Sequence, residues 1–193
     1  MKRLFICSLS LLILCSLLFT SCGKNEAEQA AADLLDRCIA CDTKAVAAVM
    51  GYDVLTLTDI EHYTLTRMQY KIVNSQQFDS TRWDVTFDTN LFDMMSLLNE
   101  ALVNTFLAED TENFDSNLWI LQKLNTEEAV RANFRAVLPM ILGEDGNFTV
   151  DTARIGDDVR DAISGGAYSW YAVYKETFEA DAESAIGALM PQQ

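Results

Sequence analysis

Trp83-Asp84-Val85-Thr86-Phe87-Asp88-Thr89-Asn90-Leu91-Phe92-Asp93 is the stretch that decides the fold. Trp83, Val85 and Phe87 alternate with Asp84, Thr86 and Asp88, so one face of an extended chain is apolar and the other wet. That is the pattern of a strand in a half-buried antiparallel sheet. Upstream, Met68, Tyr70 and Ile72 alternate with Gln69, Lys71 and Val73, before a polar, turn-forming run from Asn74 to Thr81. The two runs predict an antiparallel hairpin. Downstream, Asn90 can cap a helix over Leu91 to Ala108, with Asp93 favourable in its first turn. Leu91, Met94, Met95, Leu98, Leu102, Val103, Phe106 and Leu107 make its apolar surface too broad for a helix wet on one side.

Before the hairpin, Ala27, Ala31, Leu34, Leu35, Cys38 and Ile39 recur with a helical period across Ala27 to Cys41. Asp42-Thr43 interrupts, and Lys44 to Met50 restarts a short helix that Gly51 ends. After the hairpin and its helix, the acidic run Glu109 to Asn117 reads as a loop. Started at Asp110, it lacks the glycine and the closing glutamate of a calcium-binding EF-hand loop. Leu118 to Leu124 is apolar around Trp119. Asn125 or Thr126 then caps a predicted helix in which Val130, Phe134, Val137, Leu138 and Ile141 share a face, kinked or shortened by Pro139. Phe148, Val150 and Thr152 suggest a strand, and Ile155 to Ser164 a helical turn before Gly165-Gly166. Ala167 to Tyr174 reads as a strand apolar on both faces, and Glu176 to Met190 as a closing helix. With no internal repeat and no long linker, residues 30–193 make one domain.

The first residues form an address. Lys2 and Arg3 precede an apolar run from Leu4 to Phe19, and Thr20-Ser21 lead into Cys22. A basic start, an apolar middle and a small-residue end make residues 1–21 an export signal. The run is too short, and too abruptly followed by Gly23-Lys24-Asn25-Glu26, for a membrane-spanning helix. Cys22 directly after small residues resembles the lipobox of bacterial lipoproteins. That resemblance implies a diacylglyceryl thioether on Cys22 and a short polar tether over residues 22–29. The protein is then lipid-anchored in the bilayer at the extracytoplasmic face of the cell membrane.

Composition narrows the partners. The sequence holds 14 Lys and Arg against 29 Asp and Glu. Two of the cations and none of the acids fall in the signal, which leaves 12 against 29. A surface that negative repels nucleic acid and anionic lipid headgroups, so contact with the bilayer rests on the acyl chains and no nucleic-acid partner is expected. Of the five cysteines, Cys7 and Cys15 leave with the signal and Cys22 is the lipid site. Cys38 and Cys41 remain, spaced C-x-x-C. That spacing suits thiol–disulfide chemistry, but no strand leads into it and its neighbours are helical. Two small apolar residues facing a core, a pair that an oxidising envelope could join as a disulfide, is the simpler account.

His62 is the sole histidine, so neither a catalytic triad nor a His-based zinc site can be assembled around it. There is no phosphate loop and no dinucleotide fingerprint. No cofactor, metal or catalytic residue follows from the sequence. Carboxylate chemistry stays open: Asp84 and Asp88 flank Thr86 on one strand face. A pocket there would raise one pKa and make a general base; an outer face would leave both solvated.

Paired N-terminal helices broken at Asp42 and followed by a curved sheet resemble the nuclear-transport-factor-like (cystatin-like) domains. More narrowly, the chain resembles small lipoproteins of gut Firmicutes that carry such domains of unknown function. The lipobox, Ala31 to Met50, and Trp83 to Asp93 carry the likeness. It implies an α+β fold, with N-terminal helices packed on a curved, mainly antiparallel, cone-like sheet and additional helices. The expected function is a noncatalytic, membrane-anchored binding module whose ligand is an unknown small molecule or envelope protein. Trp83, Trp119, Tyr168, Trp170 and Tyr174 are the aromatic residues expected to line its cavity. Two alternatives stay open: a carboxylate-dependent isomerase or hydrolase in the same cavity, and an accessory subunit of an envelope complex whose acidic surface docks a basic partner.

Overall fold

The computed structural model describes residues 26–52, 56–107, 114–126 and 129–176. Cys22, residues 108–113 of the expected acidic loop and the part of the expected closing helix beyond residue 176 lie outside the described residues.

Helices α1 (residues 26–39) and α2 (Thr43–Met50) stand where their apolar period puts them. Asp42 divides them because its carboxylate accepts from the N–H groups of Lys44 and Ala45 and caps α2. Gly51 ends α2 in the left-handed conformation, at φ 78°. Helix α3 (Asp59–Leu65) opens with a capping box, in which the Thr58 hydroxyl accepts from the Glu61 N–H and the Glu61 carboxylate accepts from the Thr58 N–H.

The hairpin forms as its alternation predicts, except that Asn74–Gln77, expected as part of the turn, continues the first strand. Strands β1 (Gln69–Gln77) and β2 (Arg82–Phe92) pair antiparallel, with a bulge between Ile72 and Asn74. The Asp79 carboxylate holds the turn by accepting from the N–H groups of Thr81 and Arg82. Strand β2 buries Trp83, Val85, Phe87, Thr89 and Leu91 and continues past Asn90 to Phe92. The helix that follows is therefore capped by Asp93, not Asn90: the Asp93 carboxylate accepts from the Ser96 N–H. It is α4 (Met94–Leu107), and α5 (Ser116–Asn125) comes next.

Two further segments differ from the sequence expectation. The helix expected around Val130 to Ile141 is strand β3 (Arg131–Leu142), paired antiparallel with β2 from Arg82–Ile141 to Phe92–Arg131. Ala136, Leu138 and Met140 are buried, with Phe134 packed against the same core. Exposed Val137 completes a helical spacing that pairing with a long neighbouring strand overrides. Pro139 is tolerated because the Val137 N–H, two residues earlier and of the same parity, donates outside the sheet to Asp158. The missing N–H of Pro139 thus falls on the side away from β2. Strand β4 (Phe148–Val150), a turn of 3₁₀ helix (Thr152–Arg154) and α6 (Asp157–Ser164) follow. The second difference is Ala167 to Tyr174, expected as a strand, which lies within helix α7 (residues 167–176).

The sheet is an antiparallel meander of order β1-β2-β3-β4, and the fold is α+β. On its buried face, Ala27, Ala31, Leu35 and Cys38 of α1 share one core with Val85, Phe87 and Leu138 of the sheet and Val159 and Ile163 of α6. The Tyr70 hydroxyl, 2.8 Å from the Asp36 carboxylate, ties β1 to α1. A second cluster joins Phe92, Met94, Leu97 and Ala101 to Ile120 and Leu124 of α5. The two clusters meet near the C-terminal end of α6. There the buried Thr89 hydroxyl donates to the Ala162 carbonyl at 2.9 Å, and the Gly165 carbonyl accepts from the Met94 N–H at 2.9 Å.

Candidate functional site

A cavity of about 460 Å³ opens between the helices, not over the sheet. Val46 and Met50 come from α2, Ile60 and Leu65 from α3, Ile163 from α6 and Tyr171 from α7. Its position follows from local structure. Gly51 turns the chain out of α2, the capping box at Thr58 starts α3, and the glycine pair Gly165-Gly166, both at positive φ, separates α6 from α7. On α7, Tyr168, Tyr171, Ala172 and Lys175 fall at i, i+3, i+4 and i+7, which puts one face of the helix along the cavity.

Of the five aromatic residues expected to line a cavity, Tyr168 does so. Trp83 is buried in the main core beneath the sheet. Trp119 packs at the α4–α5 cluster, with the Lys123 ammonium 5.5 Å from its ring centre. Trp170 and Tyr174 stack on each other, with centroids 5.0 Å apart and ring planes 7° from parallel, and the Trp170 indole donates to the Asn99 side chain at 2.8 Å. Aromatic and β-branched residues give this segment the composition of a strand. Its useful signal was the i, i+3, i+4, i+7 spacing. The other lining residues are scattered over α2, the stretch from Tyr52 to Leu65, Met94 and the end of α6, and share no single period.

The chemistry of the lining is restrained. Glu61 contributes a carboxylate, but its Oε2 already accepts from the Thr58 N–H at 2.7 Å and from the Thr58 hydroxyl at 2.8 Å. Burial pushes the Tyr52 phenol up, and the negative charge of Glu61 adds to the effect, so this phenol stays protonated and polar.

The outer-face acids do not make a catalytic pair. Asp84 is bound to Arg154 at 2.7 Å, and Asp88 holds Arg135 through two bonds of 2.7 and 2.9 Å. The Arg135 hydrogen bond pulls the Asp88 carboxyl below its ordinary range, the direction opposite to that of a general base. His62 lies exposed on α3 and is not part of the lining. Cys38 and Cys41 are free thiols, the first fully buried and the second half-buried. Burial pushes the Cys38 thiol up to about 12, which keeps it protonated and poorly nucleophilic. Among the described residues, no three His, Cys, Asp or Glu side chains converge to hold a metal ion. No protein-family model, curated protein or solved structure matches the chain.

Proposed function

We propose that the chain is a membrane-anchored, extracytoplasmic lipoprotein whose domain is a noncatalytic module for binding an apolar small molecule. The apolar cavity between α2, α3, α6 and α7 carries this reading. Concave sites of a few hundred Å³, lined mainly by aliphatic and aromatic side chains with a few polar groups, are the usual form of a small-molecule site. Commitment of Glu61 to the cap of α3 supports binding over carboxylate catalysis. Packing of α1 on an antiparallel meander supports a cystatin-like frame of the nuclear-transport-factor-like kind. Anchoring rests on the sequence from Lys2 to Cys22.

The test joins the two halves of the proposal. Cys22→Ser should release the protein from membranes on fractionation, and retention of that variant at the membrane would remove the anchor. N-phenyl-1-naphthylamine, a neutral apolar dye, should bind saturably with a rise in fluorescence. Ala172→Phe, which places a ring in the cavity from an exposed position on α7, should weaken that binding about tenfold or more. Dye binding indifferent to Ala172→Phe would remove the cavity from the account.

A further inference from the structure

We infer that the ligand of this cavity is an apolar molecule ending in a single carboxylate, and that Arg160 of α6 receives that carboxylate. The inference rests on the binding role proposed above. Arg160 is held in place yet under-used. Its side chain is 20% exposed, and its guanidinium carbon lies 5.0 Å from the centre of the Tyr168 ring. Nη1 donates to Asp157 at 2.7 Å and to the Tyr168 hydroxyl at 3.2 Å. Nε is buried and has no hydrogen-bond partner. Buried N–H groups are nearly always matched with an acceptor, so a guanidinium left short of acceptors marks a place for one.

Arg160 is not itself a lining residue, but its neighbours place it directly behind the cavity wall. Tyr168 lines the cavity, and so do Met50 and Tyr52 on either side of Gly51. A Cβ built on Gly51 would stand 3.1 Å from Nη2 of Arg160. The missing side chain therefore leaves room for that nitrogen against the backbone that joins these two lining residues. Only glycine meets both needs here, because φ is 78° as well.

The guanidinium fork matches the two oxygens of a carboxylate. Asp157, which already occupies Nη1, is itself 68% exposed, so this pair is screened by water and open to exchange. One guanidinium so placed suits a monoanion. The aliphatic wall of α2 and α3 takes the apolar body, and the charge of Glu61 on the α3 side disfavours the reverse orientation.

The experiment measures displacement of N-phenyl-1-naphthylamine from the full chain by decanoate and by decanol, which match in length and differ in charge. Decanoate should displace the dye about tenfold more tightly than decanol. Arg160→Gln should erase that preference, so that decanoate and decanol displace the dye equally. Equal displacement by acid and alcohol overturns the carboxylate. A preference that survives Arg160→Gln and vanishes in Lys175→Gln overturns the assignment to Arg160. In both cases dye binding that Ala172→Phe still weakens keeps the cavity. Dye binding that ignores Ala172→Phe removes the cavity and this inference together. The acid–alcohol comparison uses the native chain, so it decides the ligand class even where Arg160→Gln fails to fold.

Discussion

Cys38 closes the last turn of α1 with none of its surface exposed, whereas Cys41, in the turn that follows, is half-buried at φ 59°. Three residues of separation thus put two thiols in different surroundings. Iodoacetamide at pH 8 should modify Cys41 in the native protein and spare Cys38, and both should react once the chain is unfolded; equal native rates would contradict the burial. The titration adds a sign. The Cys38 value is raised from 9.0 to about 12, so the neutral thiol's contribution to stability is complete below about 9 and is lost as pH rises towards 12. Cys38→Ala should remove that part of an alkaline unfolding curve. The inward direction of Cys38 was legible, because it shares a helical period with Ala31 and Leu35. The wet face of Asp84 and Asp88 was legible too. Their arginine partners were not: Arg154 is 70 residues from Asp84 and Arg135 is 47 from Asp88, and no local pattern ties them.

At the level of elements, β2 could be read because its alternation is unbroken and both of its neighbours in the sheet depend on it. Its partner β3 could not. Alanines at 132 and 136 dilute the inward face and Val137 adds an apolar group to the outer one, so the residue pattern favoured a helix that strand pairing outweighs. Helix α7 misled for the opposite reason, since strand-loving aromatics occupy a helix that starts immediately after a left-handed glycine pair. That junction is also the most constrained point between elements. Gly165 has φ 66°, and a Cβ on it would collide with the Phe92 carbonyl oxygen, whereas Gly166, at φ 84°, has nearest contacts of 3.4 Å or more. Both Gly→Ala changes incur the left-handed penalty of about 1 kcal/mol, and the backbone clash adds to it at Gly165, for about 2–4 kcal/mol in all. Urea denaturation should rank Gly165→Ala well below Gly166→Ala, and equal losses would mean that the β2–α4 corner gives way.

For the molecule as a whole, the cavity was the least legible feature, because its walls come from five helices spread between Val46 and Lys175 and no single stretch announces them. The α+β class was legible, since it needs only the alternation of β2 and the period of α1. One consequence of the sheet remains, and it concerns how copies of this protein behave when crowded. Strand β1, at one margin, has its ladder broken at Val73, the extra residue of the bulge. Strand β4, at the other margin, is three residues long. Along the part of β3 that β4 leaves uncovered, Asp158 occupies the Val137 N–H and Pro139 has none to offer. Among the described residues, the bulge on one margin and the Val137–Pro139 stretch on the other interrupt the row of free donors and acceptors on which another strand could grow. Deleting Val73 should straighten β1 and raise light scattering with protein concentration, while the native chain stays clear; matching curves would show that the bulge has no such effect. Many copies could then crowd together without stitching their sheets into fibrils.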